Sequence, residues 1–278
     1  MTPRTPQIHR VGAVSYLNAR PLVDGLELRH DIELVQDVPS RLLDRLLAGE
    51  VHVALCPVID YQTSPEPLAI VPSGAIGSDG PTFTVRLYSR DPFEEVDSIL
   101  VDGDSHTSVV LLRILLSRRH GIRPSIVRDG LPRRPDDWAG LPPGRRAILM
   151  IGDKVVATAP PDGLFPHQMD LGAAWKELTG LPFVFATWLT RRVTPLGGLP
   201  GLLSGTLRTN LERTAELASL HASSAGWPED LARTYLADTL TYHLGHRELE
   251  AVRLFWRLAR EEGLVSGERP LVLRGDPA

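Results

Sequence analysis

At 278 residues the chain exceeds the roughly 100–200 of a usual single domain, and its 42% hydrophobic and 23% charged content supplies a buried core with no compositional sign of disorder. A net charge of −4 leaves no whole-chain footprint for nucleic acid, and every basic residue except Lys154 and Lys176 is an arginine, so a single Arg marks no site. The one cysteine, Cys56, excludes an intramolecular disulfide and a multi-cysteine metal centre.

Met1 to Arg10 holds no apolar segment of signal-peptide length, and the longest apolar stretches, such as Ser108 to Leu112 and Ala147 to Ile151, fall far short of the ~20 residues that span a bilayer. A cytoplasmic protein with no membrane partner is the expectation. In chain order, Ile8 to Val14 reads as a strand, Leu17 to Leu26 as a short helix around Pro21, and Ile32 to Asp37 as a second strand. Ser40 is placed to cap a helix from Arg41 to Ala48 with Leu42, Leu43, Leu46 and Leu47 at helical spacing and Gly49 at the C′ position. Val51 to Leu55 is an apolar run of the kind a parallel sheet buries on both faces, with Cys56 beside it as a small buried hydrophobe.

Pro65 to Pro81 is rich in Pro, Gly and Ser and reads as a link into a strand from Phe83 to Ser89, the first crossing between two lobes. A second α/β unit follows: strands at Ser98 to Val101, Ser125 to Val127 and Ala147 to Ile151, and a helix from Thr107 to Arg119. The aromatic segment Phe183 to Leu189 reads as the return crossing. After the link Pro195 to Gly201, helices are expected over Leu202 to Ala222, Pro228 to Leu244 and His246 to Glu262, with Pro228 in a first turn. The expected division is lobe 1 over residues 1–84 and 187–278, and lobe 2 over residues 85–186.

Polar residues that could carry chemistry sit where strands give way to helices, the carboxyl-edge crevice in which open α/β sheets bind ligands. The first is Ser15-Tyr16-Leu17-Asn18, where Asn18 offers a donor and an acceptor or else caps the helix. The second is Gly103-Asp104-Ser105-His106-Thr107-Ser108, whose hydroxyls beside free N–H groups make either an anion site or an ordinary N-cap. Thr84 can point a hydroxyl into a cleft at the first crossing or simply pack. Asp153, after Ile151-Gly152, can bind a ligand hydroxyl or cap the following segment. His167 and Asp170 lie three apart in an expected loop and make no acid/base dyad without geometry. No dinucleotide, phosphate-loop, serine-nucleophile or zinc motif occurs, and the histidines do not cluster as metal ligands, so no cofactor and no metal are expected.

Together, Ser15-Tyr16-Leu17-Asn18 with Pro21, Ala54-Leu55-Cys56-Pro57-Val58-Ile59-Asp60-Tyr61, Ser105-x-Thr107-Ser108, Ile151-Gly152-Asp153 and the stretch from Asp170-Leu171-Gly172-Ala173-Ala174-Trp175 to Ala186-x-Trp188 closely resemble the chorismate dehydratases of the futalosine route to menaquinone. The resemblance covers about residues 8 to 190. It implies an α/β, two-lobed type II periplasmic-binding-protein-like fold with a ligand cleft between the lobes, and a cofactor-free loss of water from chorismate. It implies Asn18 as the catalytic cleft residue and Ser15, Thr84, Ser105, Thr107, Ser108, Asp153, Leu171 and Gly172 as substrate-binding. Thr84 stands where relatives can have serine, and His106 where they often have arginine. The alternatives are a non-catalytic small-carboxylate-binding protein and the sister dihydroxynaphthoate synthase, whose opening motif differs. Chorismate is the expected partner, with no nucleic acid, and a homodimer is left open.

Overall fold

Ten strands form two separate mixed sheets in the computed structural model, which describes residues 8–101, 105–128, 131, 135–138, 146–161 and 163–275. Strands β1 (His9–Ala13), β2 (Ile32–Gln36), β3 (Val53–Pro57) and β4 (Leu68–Ser78) come first. Strands β5 (Val85–Ser89), β6 (Ser98–Val101), β7 (Ser125–Val127), β8 (Arg146–Ile151) and β9 (His167–Asp170) follow, and β10 (Phe183–Arg191) closes the series. The first sheet has the order β2-β1-β3-β10-β4 and the second β7-β6-β8-β5-β9. The chain thus leaves the first sheet after Ser78 and rejoins it at Phe183, so the return runs ahead of β10 and the whole of that aromatic strand lies within the first sheet. The result is a two-lobed α/β fold.

Helices α1 (Arg20–Val23), α2 (Pro39–Leu47) and α3 (Asp60–Thr63) accompany the first sheet, and α4 (His106–His120), α5 (Lys154–Ala157) and α6 (Leu171–Thr179) the second. The C-terminal region adds α7 (Leu199–Leu211), α8 (Thr214–Ala225), α9 (Glu229–Thr234) and α10 (His246–Glu261). Strand β3 is buried along its whole length, as its apolar run requires, between parallel β1 and antiparallel β10.

Several expectations give way to tertiary context. The Pro/Gly-rich link hides β4, whose eleven residues are all buried. Its pairing with β10 jumps from Ala75 opposite Thr187 to Val71 opposite Trp188, so Pro72 and Gly74 fall in a bulge, where a missing N–H and a φ of +132° are tolerated. Bridges to Leu273 and Thr241 cover this strand's outer side. Ser40 does not cap α2: Val38 is the N-cap and Pro39 supplies the pre-set φ of the first turn. The first helix breaks into the 3₁₀ turn Leu17–Ala19, α1 and the 3₁₀ turn Leu26–Leu28, because Gly25 turns the chain at φ +87°. The expected helix over Leu202 to Ala222 is α7 and α8, which a turn at residues 212–213 divides. The one expected from Pro228 ends in a π-helical turn, Tyr235–Thr239. His167 to Asp170 is a strand paired with β5 and not a loop.

Candidate functional site

Ser105 caps α4 by accepting a hydrogen bond from the Ser108 N–H at 3.3 Å, which leaves the other first-turn N–H groups to face whatever lies ahead of the helix. The Thr107 hydroxyl oxygen accepts from the Ile59 N–H at 3.2 Å, tying this helix start to the first lobe. Beside it, His106 Nδ1 pairs with Asp60 Oδ1. The Asp60 partner raises the His106 pKa, and burial pushes the Asp60 carboxyl up. Gly103 and Asp104, also part of the expected anion motif, lie outside the described residues.

At the first crossing, Phe83 adopts φ +65° and the Thr84 N–H bonds the Thr82 carbonyl at 2.7 Å, the geometry of a tight and strained γ-turn. Asp170 holds that turn: one carboxylate oxygen accepts from Thr82 N–H at 2.9 Å and from Ala173 N–H at 3.0 Å, the other from Phe83 N–H at 2.7 Å. One side chain therefore caps α6 and fixes the turn from which Thr84 projects, so Asp170 acts through the backbone. His167 does not join it in an acid/base pair.

These elements enclose a cavity of about 80 Å³, several times the ~10–15 Å³ that one water needs. Its walls are largely apolar: Val14, Leu55, Pro57, Ile76, Val85, Ile151, Phe185 and Leu240 among them. Its polar lining is Tyr16, Asn18, Thr82, Thr84, Ser105, Thr107, Ser108 and Tyr235. No carboxylate, imidazole, amine or guanidinium lines it among the described residues, and none of them form a group of three or more potential metal ligands.

The structure therefore gathers Asn18, Thr84, Ser105, Thr107 and Ser108 around one space. Four other expected residues stand outside that lining. Ser15 is exposed and, with Asp153, lines a second recess that also includes Arg20 and His221. The Asp153 carboxylate is fully engaged, accepting from Leu17 N–H at 3.2 Å and Trp227 Nε1 at 2.9 Å, and burial raises its pKa. It caps nothing in α5, and its two bonds join the second lobe to the first turn and to the C-terminal region. Leu171 is buried at the start of α6. Gly172 packs so closely against the crossing that a Cβ would stand 2.5 Å from the Gly80 carbonyl oxygen, which explains the glycine without a ligand.

Two contributors escaped the sequence reading. Thr82 enters through the γ-turn. Tyr235 arrives from the π-helical turn with 1% of its surface exposed, its ring stacked on Trp227 at 4.6 Å and its hydroxyl 2.7 Å from that of Thr84. No sequence signal marked Tyr235, because Leu236, Leu240 and Leu244 recur every four residues and read as one continuous helix, so the π-helical turn, a feature frequent at functional sites, appears only in the structure.

With that geometry in place, a family model for menaquinone biosynthesis matches residues 9–261. A chorismate dehydratase of Thermus thermophilus is 28% identical over 260 residues, covering 88% of this chain and 93% of the relative. Among solved structures, a protein of Archaeoglobus fulgidus superposes with a TM-score of 0.68 at 15% identity, over 94% of this chain and all of the other. The periplasmic aliphatic sulphonate binding protein of Escherichia coli gives a TM-score of 0.63 at 19% identity, over 95% of each chain. At these identities the structural likeness establishes the periplasmic-binding-protein fold alone.

Proposed function

The chain belongs to the menaquinone-biosynthesis family, and from that premise we propose that it is a hydro-lyase converting chorismate to 3-[(1-carboxyvinyl)oxy]benzoate. The carrying observation is a cleft lined by hydroxyl groups and the Asn18 amide, with no charged side chain among its described lining residues. Non-catalytic carboxylate binding and dihydroxynaphthoate synthesis are not favoured beside a relative named for the dehydration.

The chemistry fits a site this sparse. The C3 hydrogen of chorismate is acidified through the diene by the ring carboxylate. Its removal puts an electron pair at C3, and formation of the C3=C4 bond expels the C4 hydroxyl and completes an aromatic ring. No electron carrier is required, so cofactor independence belongs to this proposal, as does a cytoplasmic site of action.

The start of α4 suits the ring carboxylate, whose charge grows as C3 loses its proton. The helix dipole contributes about 0.3–1 kcal/mol, and each hydrogen bond to a charged acceptor about 1.5–3 kcal/mol. Ser105, Thr107 and Ser108 would flank it. Asn18 and Thr84 would face the reacting edge. Because the described lining offers no base, the enolpyruvyl carboxylate of the substrate is assigned the C3 proton. The cleft reading keeps two lobes but moves the return crossing from residues 186–187 to ahead of Phe183, because β10 pairs with β4 of the first sheet from its first residue.

Incubating the purified chain with chorismate alone tests this. Loss of the cyclohexadiene absorbance with a product lighter by one water is expected, and chorismate left intact by folded protein contradicts it.

A further inference from the structure

The C-terminal region lies outside every motif from which the activity was read, yet it places one hydroxyl in the cleft. Tyr235 Oη and Thr84 Oγ1 are 2.7 Å apart, and both residues are buried. A phenol carries one proton and so does a threonine hydroxyl, so one of the two protons is used between them and the other is spare. The remaining protein acceptor for Thr84 is the Thr82 carbonyl at 3.5 Å, at the limit of a hydrogen bond. Close by, Asn18 Oδ1 is buried without a partner, and the Asn18 side chain also interacts with the Tyr235 hydroxyl. Natural proteins seldom leave buried polar atoms unpaired, because the desolvation cost is not recovered, and the exceptions cluster where a ligand completes the network.

Resting on the dehydration reading above, we propose that Tyr235 is a positioning residue for that reaction: its phenol orients the Thr84 hydroxyl and the Asn18 amide so that the spare proton of the cluster points at the departing C4 oxygen. As the C4–O bond breaks, that proton donates a hydrogen bond to the forming hydroxide. The hydroxide is neutralised by the proton taken from C3, so water leaves and the cluster undergoes no net proton change. The phenol suits this role because burial lifts its pKa well above the ordinary value, which the Thr84 hydroxyl and the Asn18 side chain only partly offset. It stays protonated throughout the working range and cannot serve as a base. The ionisable groups whose charge reaches it are Asp153 and Asp170, which push its pKa the same way. Asp170 also holds the γ-turn that carries Thr84, so turn and phenol fix that hydroxyl from two sides.

The plain alternative is that Tyr235 only packs against Trp227 and Phe83, with ring centroids 4.6 and 6.5 Å away. Tyr235→Phe separates the two because it keeps the ring and removes the hydroxyl. Steady-state kinetics on chorismate are measured for wild type, Tyr235→Phe, Thr84→Val and the double variant. The expected result is a kcat at least tenfold lower in Tyr235→Phe with KM changed less than about threefold, and a double variant no worse than the poorer single one, since the groups act as one unit. An unchanged kcat in Tyr235→Phe, or single losses that multiply in the double variant, overturns the inference while the dehydration stands. A folded wild type inert toward chorismate overturns both.

If Tyr235→Phe does not fold, 2,3,5-trifluorotyrosine at position 235 decides the matter. It keeps ring and hydroxyl but makes the phenol more acidic. The alkaline limb of the kcat profile then moves to lower pH, whereas a profile superimposing on the wild type refutes the role.

Discussion

His106 Nδ1 stands 2.7 Å from Asp60 Oδ1, joining the first residue of α4 to a carboxylate with no exposed surface at the start of α3. With Thr107 bonded to Ile59 N–H, this pair binds the proposed anion-holding helix start to the first lobe. Both members hold protons more tightly in the fold: His106 because Asp60 stabilises its cation, Asp60 because burial disfavours its anion. The neighbouring charges that reach them are Asp44 and Arg128.

The pair predicts a pH-dependent stability. The His106 contribution is fully present below its unfolded pKa near 6.5 and is lost as pH rises through its higher folded value. The raised Asp60 pKa acts with the same sign from about 3.8 upward. Urea midpoints of wild type should therefore fall as pH increases from 6 to 8, and His106→Gln should flatten that slope. Because the imidazole is partly exposed, the substitution should cost only about 1–2 kcal/mol at pH 6. Parallel wild-type and variant curves would show that His106 does not titrate with folding.

Asn18→Ala should lower kcat by at least an order of magnitude, as loss of a positioned polar group at a reacting centre commonly does. Stability should stay within about 2 kcal/mol of wild type. Asn18 lies inside the turn Leu17–Ala19, which has no side-chain cap bond, so little folding energy rests on it. Thermal unfolding and turnover on one preparation check both halves.

Asp153→Asn should behave in the opposite manner. The amide keeps one acceptor but turns an NH₂ toward either Leu17 N–H or Trp227 Nε1–H, leaving a buried donor unpaired at about 1–3 kcal/mol. A lowered unfolding midpoint with a shifted tryptophan emission is expected, and kcat per folded molecule should change less than in Asn18→Ala. A large loss of kcat without loss of stability would instead make Asp153 a substrate ligand.

Benzoate-type product analogues should protect the chain against thermal unfolding, and their methyl esters far less, because the start of α4 selects the charge. Thr107→Ala or Ser108→Ala should weaken protection only in part, since backbone donors remain, and the double replacement should do more. Equal protection by acid and ester would remove the anion site.

How much of this was legible follows the range of the interactions. Local chemistry announces α4, with Ser105 ahead of an apolar helix, and β3, whose five residues are all buried. Strand β4 was obscured because Pro72 and Gly74 look like link residues until β10 is seen to accommodate them in a bulge. Asn18 and the α4 hydroxyls were legible as strand-to-helix polar residues. Tyr235 was not, because its place in the cleft depends on a π-helical turn and on a partner, Thr84, 151 residues away. Asp170 was visible only as a polar residue of an expected loop, since its bonds to the backbone of residues 82 and 83 exist only once the chain has crossed between sheets.

The most direct measurement uses chorismate deuterated at C3, incubated with the chain alone in ordinary water. The account predicts an aromatic product without deuterium, lighter than the substrate by one molecule of singly deuterated water, and a slower rate than with unlabelled chorismate if C3 proton removal limits turnover. A product that retains the label, or one whose mass equals that of the substrate, would contradict elimination across C3 and C4.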